Sequence, residues 1–66
     1  MKFSEVMIHY DYKMSNIAKA LKVDRQVVYA WKRKGKMPYE YQCVLQIVTN
    51  GQLVASREDA GEATDV

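Results

Sequence analysis

The 66-residue sequence has a single cysteine, Cys43, a single histidine, His9, one proline and three glycines. One thiol excludes an internal disulfide, and one thiol with one imidazole cannot supply the four ligands of a structural zinc site. Stability therefore rests on packing, aided by a partner subunit if need be. No apolar run approaches the ~20 residues that span a bilayer, and none follows the first lysine as in a secretion signal. A reducing cytoplasm is the compartment such a chain is expected to suit. A domain of this size buries only about 60% of the surface its unfolded chain exposes, which leaves little room for a deep enclosed cavity. No nucleophile, base or metal-ligand set converges along the sequence, so neither enzyme activity nor a cofactor is expected.

What the chain does have is charge, unevenly placed. Residues 1–36 carry nine Lys/Arg against three Asp/Glu, a net +6, whereas residues 37–66 carry one against five, a net −4. A basic first half suits a polyanion, with the acidic groups kept at the far end.

Apolar periodicity and capping residues divide the chain into short helices. Ser4 reads as the N-cap of a first helix that runs to His9 or Tyr10, and Asp11 to Lys13 read as a polar link. Ser15 reads as the cap of a second helix, Asn16 to Leu21, barely two turns long and dependent on packing through Ile17 and Leu21. Asp24 then caps a third, ending at Lys34 before Gly35, with Val27 or Val28 and Trp31 inward. From Pro38 onward two readings compete. As a helix, Pro38 opens it, Tyr41, Val44, Leu45 and Val48 recur at helical spacing, and Asn50-Gly51 ends it. As a hairpin, Val44–Thr49 and Gln52–Ser56 flank an Asn-Gly turn. The polar start after Pro38 favours helix, and Ser56 with Asp59 suggests one further short turn, Arg57 to Ala60. The expectation is an all-α, five-helix domain over residues 1–60, the α+β hairpin form being the alternative, with residues 61–66 a frayed acidic tail.

Ile17, Ala18, Leu21, Val23, Val28 and Trp31 occupy the positions that a helix-turn-helix reserves for apolar or small residues, Ala18 being small where the second helix crosses. The turn position after Leu21, commonly glycine because the backbone is left-handed there, is Lys22, at a cost of about 1 kcal/mol. In a helix-turn-helix the second helix lies in the major groove with its N-terminal residues nearest the bases. Arg25 can then donate two hydrogen bonds to guanine, Gln26 can exchange two with adenine, and Tyr29 can reach a thymine methyl or a phosphate. Lys13, Ser15, Asn16, Lys32, Arg33 and Lys36 are expected to contact phosphates and set the register. Part of the basic cluster at Lys32–Lys36 also favours the negative end of the helix dipole. Trp31 reads as core, His9 as solvent-facing or loosely hydrogen-bonded, and Cys43 as a small buried hydrophobe. Tyr39 and Tyr41 fit either the core or a subunit interface.

The stretches His9-Tyr10, Ile17-Ala18-Lys19-Ala20-Leu21, Val28-Tyr29-x-Trp31-Lys32, Gly35-Lys36-Met37-Pro38 and Ile47-Val48-Thr49-x-Gly51 together resemble the Cro repressors of lambdoid phages and prophages, over about residues 3 to 58. The resemblance implies a small transcriptional repressor that binds a pseudo-palindromic duplex operator as a homodimer, in the cytoplasm of a bacterial host in association with the nucleoid. The segment from Trp31 to Pro38 looks like that of the family's all-helical branch. The YdaS-like prophage regulators share the Pro and Thr-x-Gly features, so the regulatory circuit stays open. The competing class is a protein-interaction or antitoxin-like module that keeps the helix-turn-helix only as scaffold. Such a scaffold has no need of Arg25, Gln26, Lys32 and Arg33 together.

Overall fold

A computed structural model describes residues 1–61 and contains four α-helices: α1 (Phe3–His9), α2 (Met14–Leu21), α3 (Arg25–Lys34) and α4 (Tyr39–Val48). A single 3-10 turn, Glu58–Ala60, stands where a fifth helix was expected. It consists of two i→i+3 bonds, from the N–H of Ala60 to Arg57 O and of Gly61 to Glu58 O, and Gly61 stops it in the left-handed region at φ +74°. The Ser56 N–H is already taken by Gln42, and the turn has no side-chain cap. The all-α class is therefore correct and the fifth helix is not. Residues 62–66, most of the tail expected to fray, lie outside the described residues.

Each helix ends in the same way. The N–H groups of Tyr12, Val23, Lys36 and Gly51 each reach back five residues, to Met7 O, Ala18 O, Trp31 O and Gln46 O, at 2.7–3.2 Å. Such closure needs a left-handed residue just before the donor, and Lys22 (φ +58°), Gly35 (φ +71°) and Asn50 (φ +59°) supply it, while Asp11 and Tyr12 share the task after α1. Only Gly35 adopts this conformation without steric cost; asparagine and aspartate tolerate it, and Tyr12 (φ +61°) and Lys22 are the strained ones.

The helix starts differ from the expected caps. Helix α1 begins at Phe3, which is buried, and its N-terminal donor at Lys2 is accepted by Glu5 Oε1 at 2.8 Å, leaving Ser4 exposed within the first turn. Burial of Met14 likewise draws the start of α2 back, so that Lys13 takes the N-cap position and Ser15 lies inside the helix. Asp24 does occupy the N-cap of α3, though its carboxylate makes no capping hydrogen bond.

Helix α2 lies between α3 and α4. Val6, Ile17, Val28, Met37 and Leu45 are wholly enclosed, with Phe3, Met14, Ala18, Leu21, Trp31 and Leu53 packed around them. Val27 is exposed, which resolves the choice between Val27 and Val28. Tyr41 packs against Trp31 with ring centroids 5.0 Å apart, while the guanidinium of Arg57 covers the Tyr39 ring at 4.4 Å. Burial pushes the Tyr10 phenol above its ordinary value.

The hairpin alternative is overturned, since α4 is helical through Val48 and no strand occurs among the described residues. The return segment instead lies against a polar face of α4. Gln42, Gln46 and Thr49, spaced i, i+4, i+7, accept from the N–H groups of Ser56 (2.8 Å), Ala55 (2.9 Å) and Leu53 (3.1 Å), respectively. Side chains of a helix thus do what a partner strand would do. Gln42 is fully buried and also binds beyond this face: its Nε2 donates to Met37 O at 2.8 Å, and its Oε1 accepts from the Met1 ammonium at 2.9 Å. That ammonium also donates to Val54 O and pairs with Asp59 at 3.5 Å. Val44 and Val48, expected inward, are exposed because Gln42 and Thr49 take the buried positions.

Replacing Gln42 by leucine keeps the volume but leaves buried donors and acceptors unpaired. Gln42→Leu is expected to lower unfolding free energy by at least about 2 kcal/mol, whereas Gln46→Leu, which removes one exposed bond, costs less than about 1 kcal/mol. Urea denaturation of both variants checks this; equal losses would show that Gln42 is no hub.

Candidate nucleic-acid interface

The pair α2–α3 is joined by Lys22, Val23 and Asp24. Ala18 is 5% exposed, and its small side chain lets α3 cross closely. Val23 is half-buried against the same core. The apolar set Ile17, Ala18, Leu21, Val23, Val28 and Trp31 therefore sits together and fixes how α3 projects.

Successive residues of α3 turn by about 100°, so the direction opposite Val28 and Trp31 belongs to Gln26, Tyr29 and Arg33, with Arg25 on one flank. All four are exposed, Tyr29 at 42%. Among the described residues, the side chains of Arg25, Gln26, Tyr29 and Arg33 make no hydrogen bond or ion pair, so their donors and acceptors point to solvent uncommitted. An α-helix fits the major groove of B-form DNA, which is about 12 Å wide. Arg33 stands with Gln26 and Tyr29 on the outward row, one and two turns further along the helix.

The residues expected to position phosphate fall into three groups. Lys13, Ser15 and Asn16 are exposed at the start of α2, where the first amide N–H groups of a helix lack intrahelical partners. Arg33 belongs to the outward row of α3. Lys32 and Lys36 are turned sideways, with Lys2, towards a groove beside α1. Lys34 is exposed on the other flank of α3. His9 is exposed and meets Tyr10 edge-on at 5.0 Å. Cys43 is half-buried, more open than expected. Among the described residues no helix is long and apolar enough to cross a membrane, and no group of three or more His, Cys, Asp or Glu side chains is placed to hold a metal ion.

Comparison with known proteins finds no matching family model, no similar curated protein and no similar solved structure.

The left-handed Lys22 ties the strength of the α2–α3 unit to one residue. Lys22→Gly is expected to raise stability by up to about 1 kcal/mol without altering the fold, read as a higher denaturation midpoint at unchanged slope. A lower midpoint would mean that the aliphatic stem of Lys22 contributes more than its backbone strain costs.

Proposed function

We propose that this protein is a sequence-specific DNA-binding repressor of the Cro type, a helix-turn-helix domain that places α3 in the major groove and acts on a pseudo-palindromic operator as a homodimer. The observation that carries the reading is the row Gln26, Tyr29 and Arg33, flanked by Arg25, exposed and uncommitted on a helix whose opposite side is fixed by Val28 and Trp31. Arg25, Gln26 and Tyr29, nearest the helix N-terminus, read base edges. Lys13, Ser15 and Asn16 anchor one phosphate strand through the start of α2, and Arg33, Lys32 and Lys36 hold the backbone further along.

The surface of α4 supports the dimer. Val44, Ile47 and Val48 form an exposed i, i+3, i+4 stripe, with Ile47 78% exposed. From Pro38 to Ser56 the chain has one charged residue, Glu40. An uncharged apolar stripe can meet its own symmetry mate without opposing like charges. Three or four aliphatic side chains fall well short of the roughly 20 residues a side in a stable interface, so the free protein is monomeric and pairs on DNA. Two recognition helices about 34 Å apart then enter successive major grooves on one side of the duplex.

Selection of duplexes from a random pool is the deciding experiment, and a palindromic consensus is the expected result. Affinity should fall with salt at about −0.9 in log K per phosphate neutralised. Arg25→Ala or Gln26→Ala should relax preference at particular base pairs by about 1–3 kcal/mol, while Lys36→Ala weakens all sequences alike. Absence of any enriched sequence would favour the protein-interaction scaffold instead.

Ile47→Asp should leave binding to an isolated half-site unchanged while abolishing cooperative occupation of the full site, measured by gel shift on both duplexes. Retained cooperativity would remove α4 from the interface.

A further inference from the structure

A groove of about 610 Å³ runs beside α1, bounded by the end of α3 and the 3-10 turn. Its floor is Phe3 and Met7, and its outer wall is Ile8 and Tyr12, each 64% exposed. Lys2, Lys32 and Lys36 stand at its rim. Among the described residues none of these three ammonium groups has an ion-pair partner. Two carboxylates, Glu58 and Asp59, lie at one end, and that of Asp59 is engaged by the Met1 ammonium. The groove therefore offers apolar surface edged by available positive charge.

We infer that this groove is a docking site for an acidic amphipathic helix of a partner protein. The groove is an open trough alongside α1. A trough of this kind accepts the apolar face of a helix of two or more turns, whereas a small ligand needs an enclosing pocket that buries most of its surface. A nucleic-acid backbone has no apolar face to lay on Phe3, Met7, Ile8 and Tyr12, and a flat bilayer surface does not fill a concavity. Leucine-like side chains of the partner meet that floor, and its carboxylates meet Lys2, Lys32 and Lys36. Because Lys32 and Lys36 also hold phosphate in the proposed DNA complex, the partner helix and DNA compete. This second step rests on the DNA-binding reading; the docking itself does not.

The probe is a synthetic peptide of about 14 residues, roughly four helical turns, with leucine at i, i+3, i+4 and i+7 and glutamate elsewhere. Added to the ¹⁵N-labelled full chain, it is expected to shift amide resonances from Lys2 to Tyr12 and from Lys32 to Lys36 and to leave those of α4 in place. Ile8→Ser, which removes exposed apolar surface without adding charge beside Lys32 and Lys36, should weaken the peptide by roughly tenfold and leave DNA affinity unchanged. The peptide should displace duplex DNA from the wild type and do so far less from Ile8→Ser. Equal binding by a scrambled peptide of the same composition would reduce the effect to charge and overturn the proposal. So would peptide affinity indifferent to Ile8→Ser. Peptide binding without competition would overturn the shared use of Lys32 and Lys36, and failure of every duplex to bind would strike the DNA reading while the resonance shifts still test the groove.

Discussion

The buried amide of Gln42 is the contact on which the rest of this small domain depends. Four helices of seven to ten residues each are too short to be stable alone, and the segments between and after them have no sheet to join. Gln42 answers this by binding the chain start, the loop after α3 and the return segment with one side chain. A buried amide is costly unless its hydrogen bonds are satisfied, and here both ends are. Leu53 can then reach the core, and the 3-10 turn is brought to the groove beside α1.

Helix α2, packed between α4 and α3, is what supports α3. The i→i+5 closure at Lys22 sets where the chain leaves α2, and the small Ala18 sets how closely α3 approaches. Val28 and Trp31 then fix its rotation, since turning the helix by one residue would put Tyr29 and Lys32, or Val27 and Ala30, in their place and expose both core side chains. The direction of the outward row follows from core packing.

Much of this was legible in the sequence because it is local. The three helices up to Gly35, the left-handed turn at Lys22 and the inward set from Ile17 to Trp31 follow from spacing and turn chemistry, and with them the outward placement of Arg25, Gln26 and Tyr29. The helix starts depart from the sequence pattern because Ser4 and Ser15 are good caps, yet burial of Phe3 and Met14 outweighs a cap worth about 1 kcal/mol. The end of the chain was the hardest to read. Gln42, Gln46 and Thr49 look like an ordinary polar face until the backbone donors they accept are known, and those donors lie four to fourteen residues away. Asn50-Gly51 signals a reversal in helix and hairpin alike, so it could not decide between them. Met37, wholly buried in a loop, has no periodicity to announce it. The grouping of Lys32 with Lys2 is likewise tertiary, because no sequence spacing relates the first turn of α1 to the end of α3.

The charge asymmetry gains a physical sense from where the helices stand. A net +6 over residues 1–36 would oppose association of two copies if the basic faces met. In the proposed operator complex the uncharged stripe of α4 would permit contact at a different surface, and basic faces about 34 Å apart would lie several screening lengths from each other at physiological salt, where the Debye length is about 8 Å. Repulsion between copies would then be slight, while attraction to phosphate, which acts at contact distance, would be undiminished. On that reading a weak apolar contact suffices, because a duplex holding both copies would supply the effective concentration that the small stripe lacks. What the sequence and fold themselves establish is a division of charge: a basic first half, and a stretch from Pro38 to Ser56 whose one charged residue is Glu40.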